Sequence, residues 1–215
     1  MAELSHPFIF LCNITDSPNF DYLCTRELSV VNMEEKSIDE SLFSDVVYSR
    51  NVIEFATVAN EFCAFAESVS DLTRKDFLGK LQKMFPLLYL KASLLPVLSE
   101  EDADELPEKF VTESDYNFIL GKLSKKLAEF DSYPEILEPG MPLGEANVEA
   151  NISENVADIY QDLKDFILSY RIGTVEVMRA ALWECRNNYE QYWGQKLVNG
   201  LRAVHMLVYG NTSIE

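Results

Sequence analysis

The chain is short of basic residues, of glycine and proline, of histidine and of paired cysteines, and each shortage closes off a class of protein. Lys and Arg together number 18 against 36 Asp and Glu, a formal charge of −18. No stripe of Lys or Arg interrupts that acidity, so phosphate backbones and anionic bilayers are repelled at long range. Neither nucleic acid nor membrane is an expected partner; another protein, of basic character, is. With 8 Gly and 8 Pro in 215 residues, and the prolines gathered between long periodic runs, there are too few turns for a β-rich fold. Of the two histidines, His6 follows Glu3 at the Glu-x-x-His spacing but His205 has Arg202 at that place, so the second motif that di-iron ligation needs is missing. Cys12, Cys24, Cys63 and Cys185 form no C-x-x-C pair and sit singly among apolar residues, the pattern of a reducing compartment. A G-x-S-x-G elbow and a phosphate-cradling glycine loop are both absent, so no nucleophilic triad or nucleotide loop is read.

Long apolar runs are missing too. Met84 to Leu98 is too short to span a bilayer and contains Pro86, Lys91 and Pro96. The run Phe8 to Cys12 has no basic residue ahead of it and no small-residue cleavage site after it. With no targeting feature, a cytoplasmic location is expected.

What is present is a core. The apolar fraction is 47%, with 13 Phe, 10 Tyr and 2 Trp, enough to bury a sizeable interior. Residues 1–36 lack helical or strand periodicity and read as an N-terminal tail, poorly structured, or as an extension ahead of a start at Met33. An intact Met1 or Ala2 terminus in mass spectrometry of the native protein would refute that start. Residues 37–210 read as a single helical domain. Ser37 with Glu40 is a capping box, and Val52, Phe55, Ala59, Phe62, Ala66 and Val69 keep one helical face up to about Val69. Thr73 with Asp76 opens a second helix on Phe77, Leu81, Met84, Phe85, Leu88, Ala92 and Leu95. Leu87, Leu90 and Leu94 fall on its opposite side, which predicts a central helix, and Pro86 predicts a kink or break.

Thr112 with Asp115 caps a third helix, with Phe118, Leu120, Leu123 and Leu127 inward. A Pro- and Gly-bearing loop spans about Asp131 to Asn151, a length found in functional or mobile loops. A fourth helix runs from about Ser153 on Ile152, Val156, Ile159, Leu163, Phe166 and Tyr170, and Gly173 is placed to end it. Thr174 opens a fifth, to about Tyr209, in which Gly194 and Gly200 mark a bend or a close approach. The expected fold is all-α: an antiparallel bundle of about five helices with a poorly structured N-terminal segment.

Three constellations carry chemistry. Asp158, Asp162 and Asp165 share a stripe on the fourth helix and, with Glu54 and Glu61 of the first, could hold Mg or Mn. Both stripes lie opposite apolar faces, where solvated charge belongs, and this reading is the stronger. Lys91, in the most apolar stretch, either pairs with a carboxylate, has a depressed pKa, or carries its ammonium out to the edge. Arg179, Trp183 and Arg186 form a stripe on the fifth helix that suits either a partner-binding patch or packing against a neighbour.

The strings Tyr48-Ser49-Arg50-Asn51-Val52-Ile53-Glu54-Phe55-Ala56-Thr57-Val58-Ala59-Asn60-Glu61-Phe62-Cys63, Leu87-Leu88-Tyr89-Leu90-Lys91-Ala92 and Ala157-Asp158-Ile159-Tyr160-Gln161-Asp162-Leu163-Lys164-Asp165-Phe166 resemble an uncharacterised all-helical bacterial family, a domain of unknown function. The likeness covers roughly residues 40–209. It implies a helical fold and a bacterial cytosolic setting, and transfers no activity and no catalytic residue.

The leading expectation is a non-enzymatic helical interaction protein that binds through its acidic surface or the fifth-helix patch, without cofactor. The alternative is a divalent-metal-assisted hydrolase built on the five carboxylates. Oligomeric state is not written in the sequence.

Overall fold

A computed structural model describes residues 45–99, 107–135 and 149–210. The tail 1–36, the Ser37/Glu40 box, the middle of the long loop, Cys12 and Cys24 lie outside the described residues.

The helices that open at Arg74, Glu113, Ile152 and Val175 start where a side chain satisfies the first orphan amides. Asp45 accepts from Val47 N–H and caps a 3-10 turn, Val46–Tyr48. That turn leads into α1, Arg50–Glu67, the first described α-helix. Thr73 accepts from the Asp76 amide and opens α2, Arg74–Ser93, which runs through Pro86 without a break. Thr112 and Asp115 form the expected reciprocal capping box of α3, Glu113–Leu127. At the start of α4, Ile152–Ile172, Asp131 takes the Ser153 amide and hydroxyl. Gly173, at φ 86, ends it in the left-handed region where a Cβ is unfavourable. Thr174 opens α5, Val175–Asn188; a π turn, Tyr189–Trp193, joins it directly to α6, Gly194–Tyr209. These three pieces are the long fifth helix of the sequence reading. Two three-residue strands, β1 (Ser132–Pro134) and β2 (Glu149–Asn151), pair antiparallel at the base of the long loop. Three-residue strands have no periodicity to read.

Contacts run in opposite chain directions between neighbours. Phe62 stacks on Phe85 and Phe65 on Phe77 between α1 and α2, while Glu54 meets Lys91. Tyr160 and Lys164 reach Glu67, whereas Phe166 packs on Phe55, so α1 and α4 are antiparallel. Ser124 meets Ser153 and Tyr116 meets Asp158 between α3 and α4. The result is the expected antiparallel bundle.

The central helix is α4, not α2. It packs on α1, α3, α5 and α6. Val156, Ile159 and Leu163 are fully buried, and so is much of its polar side: Ser153, Asn155, Asp165 and Ser169. On α2 one face is in the core, through Phe77, Leu81, Phe85 and Leu88, but Leu87, Leu90 and Leu94 point outward at 42%, 52% and 44% exposure. On α3 the inward residues are Ile119, Leu123 and Leu127; Phe118 lies outside, under the Lys122 ammonium.

Two glycines set the course of the last helices. A Cβ at Gly200 would sit 3.1 Å from Phe85 and 3.4 Å from Asn155, so α6 passes close to α2 and α4 there. A Cβ at Gly194 would sit 2.4 Å from the Tyr189 carbonyl oxygen, which the π turn places against it. Gly200 marks a close approach and Gly194 a change of helical form. No helix among the described residues is long and apolar enough to cross a membrane.

Candidate functional site

The three aspartates of α4 turn toward its junctions with neighbouring elements: Asp165 is buried, and Asp158 and Asp162 are partly buried. Asp158 accepts from Tyr116 Oη at 2.8 Å, Tyr192 Oη at 2.9 Å and the Lys196 ammonium. Burial, and then the hydrogen bond to Asp158, push the Tyr116 hydroxyl pKa well above its ordinary value. Burial works against the charge on Lys196, yet the Asp158 and Tyr192 contacts outweigh it and raise its pKa. Asp165 is 4% exposed. Its Oδ1 accepts both the Phe110 amide at 2.8 Å and the Val111 amide at 2.9 Å, clamping the strap that precedes α3 onto α4.

Asp162 lies in a small crevice with Pro107, Lys109, Glu184 and Asn188, and accepts from the Asn188 amide at 3.1 Å. Burial pushes its carboxyl up to about 6; Lys109 and Asn188 oppose that, while Glu184 and Asp165 add to it. The folded chain therefore holds a proton between roughly pH 4 and 6 that an unfolded Asp has already lost, and stability falls as pH rises through that window. At neutral pH the ionised carboxylate is a liability. Asp162→Asn keeps the crevice filled and is expected to raise stability by about 1–2 kcal/mol at pH 8. Denaturant melts at pH 4 and pH 8 check this, since the gain should vanish at the lower pH.

Glu54 bridges Lys91 Nζ at 2.6 Å and Arg50 Nε at 2.7 Å. The Lys91 hydrogen bond, then that of Arg50, hold its carboxyl down at about 2. Lys91 thus follows the pairing route, its ammonium at the edge of the α1–α2 contact. Glu61 is exposed on α1. Glu54 and Glu61 do not meet Asp158, Asp162 or Asp165: among the described residues no three His, Cys, Asp or Glu side chains stand together in a way that could hold a metal ion. The Mg or Mn expectation has no assembled donor set there.

The arginines of the α5 stripe are engaged internally. Arg179 makes a two-pronged pair with Asp45, ahead of α1. Arg186 donates to the Leu95 carbonyl beyond α2 and pairs with Glu190 at 2.7 Å. Trp183, between them, is half-buried. The stripe ties the end of the bundle together.

Charge is unevenly placed. Of the 36 acidic and 18 basic residues, the described portion holds 20 and 16, and the remainder 16 and 2. The described bundle is thus nearly balanced, and most of the −18 lies in the segments beyond it. On α2 the balance is reversed: Arg74, Lys75, Lys80, Lys83 and Lys91 face a single acid, Asp76.

The feature that the sequence reading placed inside and the structure places outside is the second face of α2. Lys80, Lys83, Leu87, Leu90 and Leu94 recur at spacings of three and four and form one straight seam, the spacing by which two helices pack side by side. All five are exposed. Their pattern was visible in the sequence; what hid its meaning was that a core-facing and a solvent-facing leucine look alike without the fold.

The fold recurs in a crystal structure of a Bacteroides fragilis protein, solved as a structural-genomics target, with 43% sequence identity and a TM-score of 0.69. The match covers 79% of this chain and 99% of that one, so about a fifth of this chain lies beyond the shared domain. No curated protein matches. Residues 46–210 match the family model described as Domain of unknown function (DUF5063), and the chain belongs to that family.

Proposed function

We propose that this protein is a non-enzymatic helical interaction module that receives another protein along the outward seam of α2, in a cytoplasmic setting. The observation that carries this reading is the row Leu87, Leu90 and Leu94, three half-exposed leucines aligned on a helix already packed by its other face. Covering each one fully is worth about 1 kcal/mol, which suits a weak, reversible partner. The polar groups that sequence alone offers for chemistry are spent on folding: Asp165 on the strap, Asp158 on two tyrosines and a lysine, Arg179 on Asp45 ahead of α1 and Arg186 on the Leu95 carbonyl after α2. The buried free thiols Cys63 and Cys185 fit a reducing compartment; burial drives the Cys63 pKa up to about 12 and raises that of Cys185, which leaves both unreactive.

The test is quantitative co-purification of the tagged protein at native abundance, beside a Leu87→Ser/Leu90→Ser/Leu94→Ser variant. The expected result, with brief chemical crosslinking to retain a weak complex, is one specific protein, depleted at least about tenfold by the variant and binding the purified wild-type chain directly. A set of co-purifying proteins unchanged by the variant would overturn the reading. Each leucine is about half covered by the fold, so the variant should be roughly 2–3 kcal/mol less stable but keep the helical circular-dichroism spectrum of wild type, which checks that it is folded.

A further inference from the structure

The same seam also restricts the chemistry of its occupant; this inference rests on the docking reading above. Its N-terminal half is basic and its C-terminal half is apolar. Lys80 and Lys83 are exposed, and no hydrogen bond or ion pair engages either ammonium among the described residues, in contrast to Lys91, which is spent on Glu54. Asp76, the acid one turn before Lys80, is turned back onto the Thr73 hydroxyl as part of the helix cap. From Lys80 to Leu94 the seam is about 21 Å long, four turns of helix.

A second copy of this chain matches that surface poorly. Laid parallel, it would set Lys80 and Lys83 against their own copies. Laid antiparallel about Leu87, it would set both lysines against Leu94 and Leu90. An anionic membrane is a broad plane, whereas the two exposed lysines and three leucines form a single narrow row on one helix, the width of one partner helix. We infer that α2 receives an acidic, amphipathic helical segment of another protein, with carboxylates opposite Lys80 and Lys83 and apolar residues opposite Leu87, Leu90 and Leu94. The leucines supply affinity, and the lysines fix direction and exclude basic segments. The sequence reading, which took its sign from the whole-chain charge, pointed to a basic partner; the local charge of this face points the other way.

The test uses two labelled synthetic helices of about 15 residues, with the same leucine seam, one flanked by Glu and the other by Lys, titrated into the full chain by fluorescence anisotropy. The Glu-flanked helix should bind about tenfold more tightly than the Lys-flanked one. Lys80→Glu/Lys83→Glu should invert that order, and the triple Leu→Ser variant should abolish both. Equal affinities, a preference for the Lys-flanked helix, or no binding of either would overturn the acidic partner. Co-purification could still succeed in each case, so failure here is separable from failure of the docking reading. Two controls name the other occupants: sedimentation showing self-association that the triple variant abolishes, or flotation with anionic vesicles that Lys80→Glu/Lys83→Glu abolishes. Either would also overturn it.

Discussion

Asp165→Ala should lower the stability of the folded chain by about 3 kcal/mol, a fall in melting temperature of roughly 6–12 °C. The carboxylate is buried, and one oxygen serves the amides of both Phe110 and Val111. Charge-assisted bonds of this kind are worth about 1.5–3 kcal/mol each, and truncation leaves two backbone donors with no acceptor inside the protein. Lys109, whose ammonium lies 4.0 Å from Asp165 and 2.8 Å from Glu184, loses part of its counter-charge at the same time. Asp165→Asn keeps an oxygen in the same place and should forfeit about half as much. Hydrogen exchange separates a local from a global effect: the Phe110 and Val111 amides should lose protection in Asp165→Ala ahead of the α4 core. A melt unchanged within about 0.5 kcal/mol would mean that the strap does not depend on this carboxylate.

Gly194→Ala should destabilise by about 2–3 kcal/mol, although the same exchange inside an ordinary helix is favourable by about 1 kcal/mol. The sign changes because the π turn brings the Tyr189 carbonyl to the place a Cβ would occupy. To admit the methyl group, the turn must shift, and it carries Tyr189 and the fully buried Trp193 with it. Gly121, on the exposed side of α3 with nothing within 4 Å of its Cβ position, provides the internal reference. Gly121→Ala should stabilise by up to about 1 kcal/mol. Denaturant melts of the two variants should therefore move in opposite directions; movement in the same direction would refute a π turn that needs glycine.

The helices were legible in the sequence because their signals are local. Thr73 with Asp76, Thr112 with Asp115, Gly173 and Thr174 each act on backbone within one turn, and the apolar period needs no partner to be read. What could not be read was which face meets what. The stripe of Asp158, Asp162 and Asp165 looks like solvated charge until Tyr116, Lys196, Asn188 and the amides of the strap arrive from 26 to 55 residues away. Arg179 and Arg186 look like a free patch for the same reason, since Asp45 and the Leu95 carbonyl lie far off in the chain. On α2 the error had the opposite sense: apolar character all round suggests a central helix, but a helix that turns a second apolar row outward has the same composition. The interior position falls to α4, where Ser153, Asn155 and Asp165 are paired by other elements.

The account rests on the outward seam of α2 being a docking surface, and a photo-crosslinking residue placed at Leu90 tests it most directly. A second copy of the probe at Phe118, equally apolar and exposed but on α3, is the reference. Irradiated in native cells, the Leu90 probe should yield one discrete adduct whose crosslinked peptide, mapped by mass spectrometry, is acidic and amphipathic, and the Phe118 probe should yield none at that mass. The same adducts from both positions, or none from Leu90, would contradict it.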